Sequence, residues 1–99
     1  MNEKKKLANL SLQVIPINCE NSYRIVDEAI YVIQKSGVRF EVHPFSTIME
    51  GEINRLIEIV HEAKNASFNA GADELLLNIQ IHLKKDSSVT FEEKREKFL

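Results

Sequence analysis

Four stretches in which apolar and polar residues alternate constrain the fold of this chain more than any other feature. Each has a period of two, which is typical of a β-strand with one buried face. The four alternating stretches are residues 7–17, 38–43, 46–50 and 75–83. In the first of them, Leu10, Leu12 and Val14 point to one side, and Ser11 and Gln13 point to the other. We therefore expect four strands.

Two stretches between these strands have helical spacing. Val26, Ala29, Ile30 and Ile33 recur at i, i+3, i+4 and i+7, which predicts an amphipathic helix that ends at Gly37. A second stripe of this kind ends at Gly71 and consists of Ile53, Leu56, Ile57, Val60 and Ala63. Thr90 with Glu93 three residues later resembles a capping box and predicts a short final helix.

The order of these elements is β-α-β-β-α-β followed by a short helix. Two crossovers around a central hairpin predict an α+β protein with a ferredoxin-like βαββαβ fold: a four-stranded antiparallel sheet, two helices on one face and a short C-terminal helix. The first and third strands are then central. We expect a flexible N-terminus over residues 1–6 and a single domain over residues 7–99.

The composition excludes several classes of function. The formal net charge is −2, so the chain has no basic surplus of the kind that binds nucleic acid. No stretch approaches the roughly 18–20 apolar residues of a membrane span. The one cysteine, Cys19, has no partner for an internal disulfide. We therefore expect a cytoplasmic protein that binds neither nucleic acid nor a membrane.

The face of the sheet without helices is the most informative surface that the pattern predicts. Most of its side chains are neutral hydrogen-bonding groups, and each amide offers both a donor and an acceptor. A few such groups beside apolar surface are typical of a small-molecule site. The side chains expected there are Ser11, Gln13, Ile15, Glu41, His43, Thr47, Met49, Asn78, Gln80 and His82. The pattern predicts a site for a flat heterocycle; a solvated face or a subunit interface is the competing interpretation.

Four segments of the chain are similar to one known family. They are residues 14–17 (VIPI), 41–52 (EVHPFSTIMEGE), 70–72 (AGA) and 78–81 (NIQI). Together they resemble the thiamine-binding protein family, also known as UPF0045 or DUF77, and the likeness extends over residues 7–98. The hairpin segment with Thr47, Glu50 and Gly51 is its most specific part.

The resemblance implies a ferredoxin-like fold, assembly into a homodimer or homotetramer, and binding of thiamine or its hydroxymethylpyrimidine. It implies no catalysis and no further cofactor. Thr47 and Glu50 match the hairpin motif of the family, and Asn78 matches the Asn of its last strand. Ser46 and Asn18 depart from the family pattern, because glycine is common at both positions.

Pattern and resemblance together define a set of candidate ligand-binding residues. They are Ser11, Gln13, Thr47, Met49, Glu50, Asn78 and Gln80. We expect Met49 or Phe45 to pack against a ring and Glu50 to accept from an amino group or offset a thiazolium charge. Glu50 has the parity of Ile48, which is expected on the core side. Either a bulge turns Glu50 outward, or its charge lies at the N-terminus of the second helix.

Other chemistries have weaker signals. The three histidines and Cys19 match no zinc spacing, and no base partner for the Cys19 thiol is visible. A small enzyme would need a His–acid or His–Cys group in a pocket, and the conceivable pair, His82 and Glu41, would lie across the predicted sheet from each other. We therefore expect no metal site and no enzymatic activity. The alternative to a ligand-binding protein is a structural or regulatory oligomer whose open sheet face is only a subunit interface.

Overall fold

The predicted strands form one antiparallel sheet in the order β2-β3-β1-β4. The computed structural model describes residues 6–96. Its elements are β1 (Ala8–Pro16), α1 (Ser22–Lys35), β2 (Arg39–Val42), β3 (Thr47–Gly51), α2 (Ile53–Asn69), β4 (Leu75–His82) and α3 (Phe91–Arg95). This confirms the α+β, ferredoxin-like prediction. The expected flexible N-terminus, residues 1–6, lies outside the described residues except for Lys6.

The register of the sheet decides which side chains share a face. Leu10 of β1 lies opposite Met49 of β3 on one side and opposite Ile81 of β4 on the other. Directly opposed residues in antiparallel strands point to the same face. Met49 in turn lies opposite Phe40 of β2. These four side chains therefore belong to the helix-covered face.

The core lies between this face and the two long helices. It is formed by buried apolar side chains of both layers: Ala8, Leu10, Leu12, Ala29, Ile33, Met49, Leu56, Ile59 and Ala63. The two predicted stripes contribute Ala29, Ile33, Leu56 and Ala63 to it. The prediction is wrong for Ile57, which is 41% exposed, and it omitted Ile59, which is wholly buried. Glu52 caps α2, because its side chain accepts a hydrogen bond from the Arg55 backbone N–H at 3.2 Å.

The prediction of which β3 side chains face the open side of the sheet is wrong by one residue. Met49 has no exposed surface and Thr47 is only 4% exposed, and both point toward the helices rather than to the open face. Ile48 and Glu50 point to the open face instead. The close approach of α2 at Gly51 explains the parity, since a Cβ there would lie 3.2 Å from Leu56 Cδ2. The strand therefore presents its glycine, not an isoleucine, to the helix.

The helices do not cover β4 fully. The alternation in residues 75–83 predicts one buried face beneath the helices, formed by Leu75, Leu77, Ile79, Ile81 and Leu83. That prediction is wrong for Ile79 and Ile81, each 43% exposed, and for Leu83, which is 54% exposed. Both long helices pack over β1, β2 and β3, so this edge of the sheet stays open on its helix side.

The strands differ in length, and this shapes one end of the sheet. β1 has nine residues and β3 has five, and the last pair that they share is Leu12 with Thr47. Residues 13–16 of β1 therefore pair only with β4. Beyond Pro16, Asn18 has a φ of 53°, the left-handed region that asparagine tolerates better than most residues.

After β4 the chain returns beside the start of β1 and lays α3 across the open face. The Val89 backbone N–H donates to the Leu7 carbonyl at 2.9 Å, and Val89 is completely buried. The predicted capping box is confirmed, with Thr90 and Glu93 bonded to each other's backbone N–H. Phe91 is buried at the first turn of α3.

Candidate functional site

Two of the concave surfaces of residues 6–96 contain residues of the predicted ligand set. We call the first the open-face cavity; it lies between the helix-free side of the sheet and α3 and has a volume of about 940 Å³. Its lining residues are Asn9, Leu10, Ser11, Ile48, Gln80, Ile81, His82, Phe91, Lys94 and Arg95. Ser11 and Gln80 lie directly opposite each other, so two residues of the predicted ligand set meet here.

Asn9 has an unsatisfied group in this cavity wall. It is 6% exposed, and its Nδ2 donates to the Val89 carbonyl at 3.1 Å. Its Oδ1 is buried and has no hydrogen-bond partner among residues 6–96. A buried acceptor without a donor costs about 1–3 kcal/mol, so this oxygen favours a molecule that can donate to it.

Ion pairs fasten α3 to the sheet. The Glu50 carboxylate accepts from the Phe91 backbone N–H at 3.2 Å and from Arg39 Nη1 at 3.4 Å. Arg95 pairs with Glu41 of β2, and Arg39 also pairs with Glu92 of α3. The guanidinium of Arg39 lies over the Phe91 ring, 4.7 Å from its centroid. Glu50 thus faces the open side but is engaged in holding α3.

The carboxyl groups of these pairs have lowered pKa values. Hydrogen bonding from Arg95 lowers the pKa of Glu41, and hydrogen bonding from Arg39 lowers the pKa of Glu92. Hydrogen bonding from Lys84, at 2.9 Å, lowers the pKa of Glu93. All three lie below the ordinary value of 4.5, so their charged forms favour the attached position of α3.

Acid should therefore loosen α3. A group whose pKa is lowered on folding stabilises the fold above its unfolded pKa and loses this effect as the pH falls through its folded pKa. We expect the NMR signals of the α3 amides to shift toward disordered values below pH 4.5. Glu41→Gln should flatten part of this titration. Unchanged α3 signals between about pH 6 and about pH 3 would contradict the expectation.

We call the second concave surface the end cleft. It has a volume of about 460 Å³ and lies where β1 extends beyond β3, between the start of α1 and the β2–β3 hairpin. Its lining residues are Gln13, Val14, Ile15, Pro16, Ser22, Tyr23, Val26, Ala29, Ile30, Ile33, His43, Pro44, Phe45, Ser46 and Thr47. Tyr23 is 88% exposed and Phe45 is 81% exposed, so two aromatic rings flank it.

The predicted ligand set is divided between these surfaces. Gln13 and Thr47 line the end cleft, although Thr47 reaches it from the helix side of the sheet. Asn78 donates to Gln13 Oε1 at 3.0 Å and so stands beside the end cleft. Met49 is wholly enclosed in the core, and its predicted place on the open face is wrong.

Sequence reasoning missed Asn9 and Tyr23. Asn9 shares the parity of Ser11 and Gln13, so the alternation could have added it to the open face. Tyr23 stands three residues before Val26 and seven before Ile30, at the margin of the apolar stripe of α1, so helical spacing could have drawn attention to it.

Within residues 6–96, no three His, Cys, Asp or Glu side chains are grouped closely enough to hold a metal ion. No helix in that range is both long enough and apolar enough to cross a bilayer. Cys19 is a half-buried free thiol in the loop before α1.

Known proteins place the chain in a family. The fold and the two concave surfaces define a small ferredoxin-like protein with room for ligands. A family model described as thiamine-binding protein matches residues 10–98, and the chain belongs to this family. A UPF0045 protein of Clostridium perfringens is 38% identical over 91 residues, which cover 91% of this chain and 95% of that protein.

Solved structures agree with this assignment. A domain of the DUF77 family from Bacillus cereus superposes with a TM-score of 0.91 at 37% identity, covering 100% of this chain and 96% of that one. A Thermotoga maritima protein, for which a role in thiamine biosynthesis or salvage has been suggested, superposes with a TM-score of 0.83 at 28% identity, covering 94% of this chain and 99% of that one. The predicted family is therefore confirmed.

Proposed function

We propose that this protein binds thiamine, or its hydroxymethylpyrimidine, in the end cleft and does not transform it. The observation that carries the proposal is the make-up of that cleft. Two exposed aromatic rings, Tyr23 and Phe45, flank an apolar floor, and Gln13 and Thr47 line the cleft from opposite faces of the sheet. A volume of about 460 Å³ is in the usual range for small-molecule sites.

The charge of thiamine favours the end cleft over the open-face cavity. The thiazolium ring is a cation, and cations are attracted to the faces of aromatic rings. Among the end-cleft residues of the described chain there is no Lys or Arg. The open-face cavity instead has Lys94 and Arg95 in its wall, and their like charge disfavours a cationic guest.

The polar groups of the cleft suit the edge of an aminopyrimidine. Gln13 Oε1 accepts from Asn78, which leaves the Gln13 NH₂ group to donate to a ring nitrogen. The Thr47 hydroxyl can accept from the exocyclic amino group. Asn78 then fixes the orientation of the Gln13 amide rather than contacting the ligand. Ser11, Gln80 and Glu50, the other predicted ligand residues, have no part in this arrangement.

Titration calorimetry with thiamine and with hydroxymethylpyrimidine tests the proposal. Phe45→Ala should weaken thiamine binding about tenfold through the lost ring contact, and Thr47→Val about fivefold through the lost hydrogen bond. Phe68→Ala is the matched control, because Phe68 is an exposed aromatic residue on α2 outside the cleft. It should leave the affinity unchanged.

The results that would refute the proposal are equally definite. If thiamine and hydroxymethylpyrimidine at excess give no binding heat and no thermal shift, both are excluded as ligands. An equal loss of affinity in the Phe68→Ala control would remove the end cleft as the site. Recovery of chemically altered thiamine after incubation would contradict a non-catalytic role.

We also propose that the chain assembles with itself as a homodimer or homotetramer. A domain of this size buries roughly two thirds of its unfolded surface, so association adds stability that a small core lacks. The alternative function, an oligomer whose open face is only a subunit interface, is favoured by the unpartnered Asn9 Oδ1. A donor from a second copy would satisfy it if assembly moved the cavity wall enough to uncover this oxygen. An assembly that forms normally but binds neither ligand would support that alternative.

A further inference from the structure

The open-face cavity has a volume of about 940 Å³ and takes no part in the proposed binding of thiamine. Its floor is a row of neighbouring side chains: Ile48, Ser11 and Gln80 lie side by side across β3, β1 and β4. His82 lies two residues further along β4 on the same face. The buried ring of Phe91 in α3 forms part of the wall. The final helix thus converts this part of the open face into a concave site with both apolar and polar sides.

The fixed charges in the cavity wall are all positive. Lys94 and Arg95 of α3 supply them, and no Asp or Glu is among the lining residues of the described chain. Arg95 already pairs with Glu41 of β2. Lys94 is exposed and forms no ion pair with any other residue in the range 6–96. Its ammonium group is therefore available to a negatively charged guest.

The carboxylates of α3 do not satisfy this charge, because they are engaged with other cations. Glu92 pairs with Arg39 of β2, and Glu93 pairs with Lys84, which follows β4, at 2.9 Å. Both acids would have to leave these partners to reach Lys94. An anion from outside the chain can pair with Lys94 without breaking any of the contacts that hold α3 on the sheet.

The size of the cavity requires more of a guest than a charge. A volume of about 940 Å³ is at the upper end of the usual range for small-molecule sites. An inorganic anion beside Lys94 would leave most of this space to water, in contact with the apolar side chains of Ile48 and Phe91. Contact of apolar surface with water is unfavourable, so a ligand that fills the cavity has an apolar part.

We propose that the open-face cavity is a second binding site, for an amphipathic organic anion that carries a carboxylate or sulfonate on an apolar body. The acidic group pairs with Lys94, and the apolar body lies against Ile48 and Phe91. Ser11 and Gln80 offer hydrogen bonds along the floor. The site is independent of the proposed thiamine cleft, and its charge disfavours the thiamine cation.

Two fluorescent probes test the class of ligand. Anilinonaphthalene sulfonate carries a sulfonate on an apolar ring system, and its emission rises when it leaves water. Phenylnaphthylamine has the same ring system without the sulfonate. We expect the sulfonate probe to bind in a saturable titration, and the neutral probe to bind about tenfold more weakly, because it lacks the charge-assisted contact. Tighter binding of the neutral probe would contradict the assignment of an anion.

Lys94→Glu tests the residue that selects the anion. It should weaken binding of the sulfonate probe about tenfold and leave the neutral probe unchanged, since only the charge is reversed. Lys94→Arg keeps the charge and should retain binding. Lys35→Glu is the matched control, because Lys35 is also an exposed lysine in the last turn of its helix, α1, on the other side of the sheet. Equal losses in Lys94→Glu and Lys35→Glu would show that net charge alone attracts the probe and would overturn the proposal.

Amide NMR spectra locate the bound probe. The sulfonate probe should shift the signals of Ser11, Gln80 and Phe91 and leave those of Ser22 and Phe45, which belong to the end cleft. Shifts confined to the end cleft, or displacement of the probe by excess thiamine, would overturn the proposal. Failure here would leave the thiamine proposal intact, because calorimetry with thiamine and the Phe45→Ala variant tests that cleft separately.

Discussion

Met49→Ala should lower the free energy of unfolding by about 2–5 kcal/mol while leaving the thiamine affinity of the folded protein nearly unchanged. Met49 has no exposed surface and lies between Leu10 of β1 and Phe40 of β2, facing α2. Removing its side chain leaves a cavity that the surrounding strands and helix cannot fill. Urea unfolding measures the first effect, and calorimetry below the unfolding transition measures the second.

Two controls separate packing from recognition in this experiment. Met49→Leu conserves most of the volume and should cost less than about 1.5 kcal/mol. Ile57→Ala changes an exposed residue on α2 and should have a small effect. A Met49→Ala protein of normal stability that has lost thiamine binding would show that the residue belongs to the ligand site and that its position in the core is misassigned.

Glu50→Ala should destabilise the protein by about 2–3 kcal/mol and release α3 from the sheet. The Glu50 carboxylate is buried, and it accepts from the Phe91 backbone N–H and from Arg39. Its loss leaves a buried donor without an acceptor. Glu50→Gln should lose less, because an amide oxygen can still accept from Phe91. Urea unfolding gives the stability, and hydrogen–deuterium exchange of α3 gives the release.

A surface carboxylate supplies the comparison for Glu50. Glu58 is exposed on α2 and pairs with Arg55 at 3.0 Å, so Glu58→Ala should cost no more than about 1 kcal/mol. Equal effects at Glu50 and Glu58 would mean that the contact with Phe91 contributes little. Since Glu50 is outside the end cleft, thiamine affinity should survive its replacement. If Glu50→Gln lost thiamine binding without losing stability, Glu50 would belong to the ligand site.

The elements and their order could be predicted from the sequence because each carries its own local signal. The alternation in 75–83, the stripe from Val26 to Ile33 and the Thr90–Glu93 box all specify structure within a few residues. The order β2-β3-β1-β4 then follows from the handedness of crossovers, which leaves few topologies for this pattern.

The face of β3 could not be predicted in the same way. In the segment 47–51, threonine, isoleucine and methionine are all compatible with a core position, so hydropathy does not set the parity. Long-range packing sets it: a Cβ at position 51 would lie 3.2 Å from Leu56 Cδ2, which is closer than ordinary van der Waals contact, so the approach of α2 favours glycine there. That contact fixes Met49 and Thr47 on the helix side, and no local pattern encodes it.

Long-range contacts also explain why the predicted ligand residues are divided between two surfaces. Ser11, Gln13, Asn78 and Gln80 do share one face, as the alternation predicted. The end cleft beside Gln13 exists because β3 ends before β1 does. The open-face cavity beside Ser11 exists because α3 packs across that face of the sheet. Both are set by contacts between residues far apart in the chain, such as Glu50 with Phe91.

The unequal lengths of β1 and β3 have a consequence for how such a protein can change its ligand during evolution. The proposed pocket occupies the place where a longer hairpin would otherwise continue the sheet, so its depth is set by the residues 43–46 that connect β2 to β3. Insertions or deletions in that connection would resize the pocket while every core residue kept its neighbours. The connection can thus vary in length without changing the core, whereas Ala29 and Ile33, which belong both to the core and to the pocket wall, cannot be changed so freely.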